Sequence, residues 1–460
     1  MRLISAGVFG RCGRQAALGA LLALLALQPL AARNRGITGL RQVALADAGP
    51  AARTPAGPVF AANARLVNGS ERAEISFDLS APVTASSFVL AAPDRIVVEL
   101  PQVEFEAAPS ESAHTGRHRH AAAQIPGGLV ASYRFGLFAP GKSRIVIDLS
   151  TPARVLRAIA VSGPTGMRLV VSLARADRAA FLAAARSALA AQQAAADSPA
   201  PAAGAVATSD LPVIIIDPGH GGIDSGAMVH GLVEKNIVFD FARELANKLR
   251  ASGHYKVVMT RDSDVFIALG DRVKIAREAG ASLFVSIHAD TISDAAGVSG
   301  ATVYTCSEHA SDAEAARTAE KENQSDAVAG VESKDEDDGV SNILFDLTRQ
   351  ETRTYSHVFA RTLVNYWQVA ARLNKNPERS AGFRVLKAAD VPSVLIELGY
   401  LSNAADGAAL TSPSWRDATT GRVAAAIDAF FTAKGSLPAK ATTESPTAEA
   451  LDATPTGLVK

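Results

Sequence analysis

VIIIDPGHGG, residues 213–222, reads as a buried strand running into a turn. Four β-branched residues in a row, Val213 to Ile216, predict a strand covered on both faces, and Asp217-Pro218 stops it. His220 follows among three glycines that carry no side-chain bulk, which leaves room for a metal or substrate to approach. Open α/β sheets build their sites at the carboxyl ends of such strands.

Downstream of this stretch, strands and helices alternate. Residues 236–250 carry Ile237, Phe241, Leu245 and Leu249 at helical spacing, and 255–260 read as a strand. Residues 269–279 read as a helix ended by Gly280, LFVSIH at 283–288 as a second buried strand, and 301–305 as a further one. The last two strands are expected near residues 383–386 and 393–397, with an amphipathic helix over 415–434. This order predicts an α/β domain over 211–435, its mainly parallel sheet flanked by helices.

Two of these strands end in histidine, so in a parallel sheet His220 and His288 lie on one edge. Glu234 opens the helix after the first strand, where a carboxylate also meets the positive helix end. Two histidines and a glutamate suit catalytic Zn2+, with a fourth position left for water. Glu397 ends the apolar strand Val394-Leu395-Ile396 and should reach the same edge, where burial would raise its pKa and suit it to proton transfer.

Upstream, residues 58–176 change to period two. Short alternating runs at 74–79, 95–100, 132–138, 144–149 and 168–174 are punctuated by Pro, Gly, Asn and Ser. RIVVEL at Arg95, RIVIDL at Arg144 and RLVVSL at Arg168 are alike, which predicts a small all-β sandwich with some internal symmetry. No catalytic groups converge in it. HTGRHRH at 114–120 reads as a solvated loop, because no carboxylate or cysteine framework accompanies it. Residues 177–210 form an Ala/Pro-rich linker whose first half can be helical, and 436–460 have a disordered composition.

The 460 residues, 48% hydrophobic, suffice for two or three domains. Lys plus Arg (46) equals Asp plus Glu (46), so net charge gives no support for nucleic-acid binding. Arg2, Arg11 and Arg14 precede the apolar run 16–27, as in a secretory signal, with an uncleaved anchor as the alternative. Ala44-Leu45-Ala46 fits a cleavage site and Ala31-Ala32 is a nearer one, so residues 1–46 are read as signal peptide and leader. The mature chain is then expected in the periplasm, without a transmembrane span. It would keep one thiol, Cys306, which has no histidine partner in sequence and reads as structural.

Residues 60–175 resemble the AMIN domain, a β module that targets periplasmic cell-wall proteins, through the repeated R-I-V-x-x-L strand. Residues 213–434 resemble the zinc-dependent N-acetylmuramoyl-L-alanine amidases of the amidase-3 family. The matching motifs are IDPGHGG at 216–222, Glu234-Lys235, SIHAD at 286–290 and PSVLIELGYLSN at 392–403. The resemblance implies that His220, Glu234 and His288 bind zinc, that Glu397 is the catalytic carboxylate, and that peptidoglycan is cut between the muramic acid lactyl group and L-alanine. Asp290 departs from the family's usual Asn and adds negative charge near the metal.

Residues 306–349 are long for a connection. Ser311-Asp312-Ala313-Glu314 is a capping box, and Ala315, Ala319, Glu322 and Asp326 fall on one face of the helix it starts. SKDEDDG at 333–339 reads as an exposed acidic turn, and a second helix begins near Ser341. Division-type members of the family carry an inserted helix here, with a glutamate of an A-x-x-E-N-like stretch on the open zinc position. AEKEN at 319–323 matches it and makes Glu322 the autoinhibitory fourth ligand. The resemblance also implies an activator of the LytM-domain type. A zinc peptidase cutting within the stem peptide and a non-catalytic wall-binding protein are the competing readings.

Overall fold

The computed structural model describes residues 58–106, 127–163, 166–196, 211–292, 297–332 and 343–436. The expected signal and leader, the 114–120 loop, the second half of the linker, the acidic turn and the tail beyond 436 lie outside the described residues.

The first part is a two-sheet sandwich. Its strands are β1 (Val59–Asn68), β2 (Arg72–Leu79), β3 (Ser86–Leu90), β4 (Arg95–Pro101), β5 (Val103–Phe105), β6 (Val130–Ala139), β7 (Lys142–Leu149), β8 (Ala153–Gly163) and β9 (Gly166–Arg175). One sheet runs β5-β1-β2-β9-β8 and the other β3-β4-β7-β6. Alternation drives it: Ile75, Phe77, Ile96, Val98, Ile145, Ile147, Val171 and Leu173 point inward and pack as one core. Two of the three similar segments, β4 and β7, pair antiparallel with Glu99 opposite Arg144 and Arg95 opposite Asp148, while the third, β9, lies in the other sheet. The strands β1, β3, β5 and β8 were not among the expected runs, since edge and mixed-burial strands lack clean alternation. The first half of the expected linker is helix α1 (Arg178–Ala196), which docks Phe181 and Ala185 on the sandwich core.

The second part alternates as expected. In order come β10 (Val213–Pro218), the small hairpin β11 (Met228–Val229) and β12 (Leu232–Val233), α2 (Glu234–Ser252), β13 (Lys256–Met259), α3 (Leu269–Glu278), β14 (Leu283–His288) and β15 (Ala301–Cys306). Then follow α4 (Ala313–Glu322), α5 (Ser325–Val328), α6 (Ile343–Trp367), β16 (Leu373–Ala381), β17 (Ser393–Glu397), α7 (Ala404–Leu410) and α8 (Pro413–Ala433). The sheet order is β13-β10-β14-β17-β15-β16. All its neighbours are parallel except β15 with β17. It is therefore the mainly parallel, helix-flanked α/β sheet expected.

One strand was misplaced. Residues 384–386 form a 3-10 turn, and the edge strand is the polar segment LNKNPERSA of β16. An edge strand needs no apolar run, because it buries little. The helix after the acidic segment continues to Trp367, so no helix boundary falls at residue 349. No described helix is long and apolar enough to cross a membrane.

Candidate metal centre and active site

β10 and β14 are adjacent and parallel, and all six residues of each are buried. His220 leaves β10 with φ +55, a left-handed conformation that His tolerates better than most residues. Gly222 follows at φ +56, and a β-carbon there would collide with the Leu137 carbonyl of the sandwich. At Gly222, then, the lack of side-chain bulk admits a neighbouring backbone rather than a ligand.

Buried charges clamp the turn. Asp217 accepts from Thr260 Oγ1 (2.6 Å), Ser286 Oγ (2.7 Å) and Arg272 Nη1 (2.7 Å). Burial opposes its charge, but Arg272 and the two hydroxyls hold its carboxyl below the usual range. Arg272 also donates to the carbonyls of Pro218 (2.9 Å) and His220 (2.8 Å), and Arg261 to those of Pro218 (3.1 Å) and Gly219 (2.9 Å). The strand end is thus fixed by two arginines that sequence reading did not single out.

Four ligand atoms converge past this turn. His220 Nε2 lies 3.1 Å from Glu234 Oε1 and 3.4 Å from Glu322 Oε2. His288 Nδ1 lies 3.3 Å from Glu234 Oε1 and 3.1 Å from Glu322 Oε2. Four ligands about 2.0–2.1 Å from a zinc ion stand roughly 3.3–3.4 Å apart along tetrahedral edges, and these four His–Glu contacts have about that length; His220, His288 and Glu322 together form a group able to hold a metal ion. Asp224 Oδ2 sits 2.9 Å from His220 Nδ1 and orients the ring. Glu234 accepts from the N–H groups of Ala227 (2.7 Å) and Ala289 (2.9 Å).

The charge balance points the same way. Burial alone would lower the His220 pKa, but Glu234, Asp224 and Glu322 raise it to about 10. His288, buried as well, is raised well above its ordinary value by Glu322 and Glu234. The imidazoles collect protons because the carboxylates require positive charge, which a divalent cation can supply instead.

Glu397 stands opposite His288 in the β14–β17 register. Its Oε2 accepts from the Asp290 N–H (3.0 Å), and its Oε1 is buried with no hydrogen-bond partner among the described residues. Burial pushes the Glu397 carboxyl up to about 8; His288 opposes this, while Glu234 and Glu322 add to it.

Residues 214–429 match the N-acetylmuramoyl-L-alanine amidase family (Amidase_3), and residues 63–173 match the AMIN domain. The chain is 33% identical to N-acetylmuramoyl-L-alanine amidase AmiC of Neisseria meningitidis serogroup B, over 83% of this chain and 92% of that one. It is 31% identical to Escherichia coli AmiC over 80% and 88%. The chain belongs to the N-acetylmuramoyl-L-alanine amidase family. Among solved structures, the catalytic domain of the amidase CwlV from Bacillus (Paenibacillus) polymyxa var. colistinus is 26% identical, covering 48% of this chain and 99% of that one, with a TM-score of 0.36. By these relatives this is a peptidoglycan amidase of the AmiC type carrying an AMIN domain.

The candidate site is buried among the described residues: His220, Glu234, His288, Glu322 and Glu397 are 2, 0, 6, 4 and 0% exposed. α4 forms the cover. Asp312, not Ser311, caps it, accepting from the N–H groups of Glu314 (3.0 Å) and Ala315 (2.9 Å). Ala315 and Ala319 pack among Tyr304, Phe383 and Leu395, so the backbone lies close to the sheet and Glu322 reaches the histidines. Asn323 fixes the end, donating to the Gly382 carbonyl (2.8 Å) and accepting from the Arg384 N–H (2.8 Å). The extra charge of Asp290 forms an ion pair with Lys321 of this helix. Cys306 is half-buried and its thiol is pushed up by burial, in keeping with a structural role.

Sequence reading missed Asp224, Arg261, Arg272 and Lys321. Asp224 sits four residues after His220, and the run Thr260-Arg261-Asp262 after β13 was the available signal for Arg261. Arg272 and Lys321 lie on ordinary amphipathic helices and carry no local mark.

Proposed function

We propose that this amidase is zinc-dependent, acts in the periplasm in daughter-cell separation, and is autoinhibited until an activator of the LytM-domain type withdraws α4. The observation that carries the reading is that His220 and His288 each lie 3.1–3.4 Å from an oxygen of Glu234 and an oxygen of Glu322, the last supplied by the cover. His220, Glu234 and His288 would hold the ion, and Glu322 would fill its fourth position. The zinc supplies Lewis-acid polarisation of the scissile carbonyl when bound.

The remaining chemistry belongs to the chain's own residues. Asp224 holds the His220 ring through Nδ1, so Nε2 faces the centre. Once α4 is withdrawn, Glu397 is placed to take a proton from the attacking water. That oxygen bonds to the lactyl carbonyl carbon, the C–N bond to L-alanine breaks, and Glu397 passes the proton to the leaving amine. The Asp290 N–H fixes which Glu397 oxygen remains available. The AMIN-like sandwich would target the enzyme to the wall.

The test compares full-length, zinc-loaded wild type and Glu322→Ala on purified sacculi, with products read by mass spectrometry. The expected result is free stem peptide beginning at L-alanine, released faster by the variant. Cleavage within the stem would overturn the amidase assignment. Equal basal rates at equal zinc occupancy would overturn autoinhibition by Glu322.

A further inference from the structure

The cover is held at both ends, and its far end is held by the sandwich. α5 continues from α4 and stops at Val328, with the carbonyls of residues 327–330 at and just past its carboxyl end. Three arginines from the β3-β4-β7-β6 sheet take four successive ones. Arg95 Nη1 donates to Ala327 O (2.5 Å), and Arg134 Nε donates to Val328 O (2.5 Å). Arg144 Nη1 donates to Ala329 O (3.0 Å) and Gly330 O (3.4 Å). Cations at a helix carboxyl end are also favoured by its dipole.

These guanidinium groups are held rigidly. Arg95 and Arg144 are 2% and 7% exposed. Arg144 is locked on Glu99 (2.7 Å) and Arg134 on Asp148 (2.6 Å), both within the sandwich. Around them runs an apolar seam that joins the two domains: Leu90, Val97 and Val146 pack with Ile223, Phe266 and Ala329. Phe138 stacks on Phe266 with ring centroids 5.7 Å apart. Gly330, at φ +70, passes flush with the sheet, where a β-carbon would come 2.7 Å from Val97 Cγ2.

The same segment is tied to the metal centre at its other end. Ser325 Oγ donates to Asp224 Oδ2 (2.5 Å), the oxygen that orients His220. Asp326 Oδ1 accepts from the Leu269 N–H (2.9 Å). Glu322 lies five residues before the first clamped carbonyl, so the cover cannot swing out as a unit while the arginines hold residues 327–330.

We propose that the arginine face of the sandwich, Arg95, Arg134 and Arg144, is a clamp on the carbonyl end of the blocking segment that keeps Glu322 seated against His220 and His288. The AMIN-like domain is then part of the lock as well as a wall-targeting module. This rests on the reading of Glu322 as the blocking group.

The experiment measures basal hydrolysis of sacculi by the full-length zinc-loaded chain as wild type, Glu322→Ala, Arg134→Ala, Gly330→Ala and the double variant Glu322→Ala/Arg134→Ala. Arg134 and Gly330 probe the contact from opposite sides, so one variant's misfolding leaves the other informative. Amide hydrogen exchange over residues 322–330 is followed in wild type and in each folded variant. Losing one charge-assisted hydrogen bond should favour the open state by about tenfold or more, so the basal rate and exchange should rise accordingly. The double variant should be no faster than Glu322→Ala alone, since both changes remove the same restraint; a purely structural role would not produce this. If Glu322→Ala is activated while folded Arg134→Ala and Gly330→Ala keep wild-type rates and exchange, the clamp is wrong and autoinhibition stands. If Glu322→Ala itself is not activated, the autoinhibition reading fails and takes the clamp with it.

Discussion

Glu397 and the histidines proposed to bind zinc are distinguished by what each should lose on substitution. Glu397→Gln keeps the shape and the Asp290 contact but removes the proton carrier, so turnover by the opened enzyme should fall about 10²–10⁴-fold with zinc content unchanged. Metal analysis beside stem-peptide release checks both halves of that expectation. His220→Ala or His288→Ala should lose zinc as well as activity, because two protein ligands remain once the cover is withdrawn. The pH dependence follows from the raised imidazoles. His220, at about 10, and His288, raised well above its ordinary value, are proton-loaded at neutral pH without metal. A zinc ion held by the proposed set would have to displace those protons, so its affinity should weaken as pH falls and strengthen as pH rises. Calorimetric titration in buffers of different ionisation enthalpy should show proton release; a titration independent of buffer would contradict it.

At the scale of elements, the decisive parts are the β10 turn and α4. The turn combines a left-handed histidine with Gly222, which the sandwich backbone approaches too closely for a side chain. Gly222→Ala should therefore cost about 1–3 kcal/mol, read from the midpoint of denaturant unfolding, and a midpoint equal to wild type would mean the turn relaxes freely. α4 is an amphipathic helix with a small-residue face, and Lys321 ties it to Asp290. Lys321→Ala leaves Asp290 buried beside Glu322 and Glu397 without its cation, so the cover should loosen and basal hydrolysis should rise. An unchanged basal rate in folded, zinc-loaded Lys321→Ala would show that this pair does not hold the helix.

At the scale of the described molecule, the sandwich core is separate from the two amidase cores, and one small seam joins the domains. The sandwich core draws on residues 59–185 and the amidase cores on residues 213–431. A chain limited to residues 211–436 should consequently fold with a cooperative transition of its own. It would expose Ile223 and Phe266 of the seam, so its melting temperature should be lower than that of the full chain. A scan showing no cooperative unfolding for the shortened chain would mean the domains are one folding unit.

The sequence by itself determined the local chemistry and the period of each element. The VIIID and LFVSIH runs read correctly as central strands because full burial on both faces leaves a continuous apolar pattern. Parallel pairing then brings their terminal histidines to one edge, so His220, His288 and Glu397 could be grouped from their places at the ends of predicted strands. The capped helix with alanines ahead of Glu322 was legible for the same reason: periodicity is a local property. What only the tertiary structure decided are the partners that meet from distant segments. Arg261 and Arg272 on the turn, Lys321 on Asp290, and the sandwich arginines on carbonyls 327–330 leave no periodic trace. A buried guanidinium is satisfied by backbone oxygens wherever the fold brings them, and a carbonyl oxygen has no side-chain identity for a sequence to record.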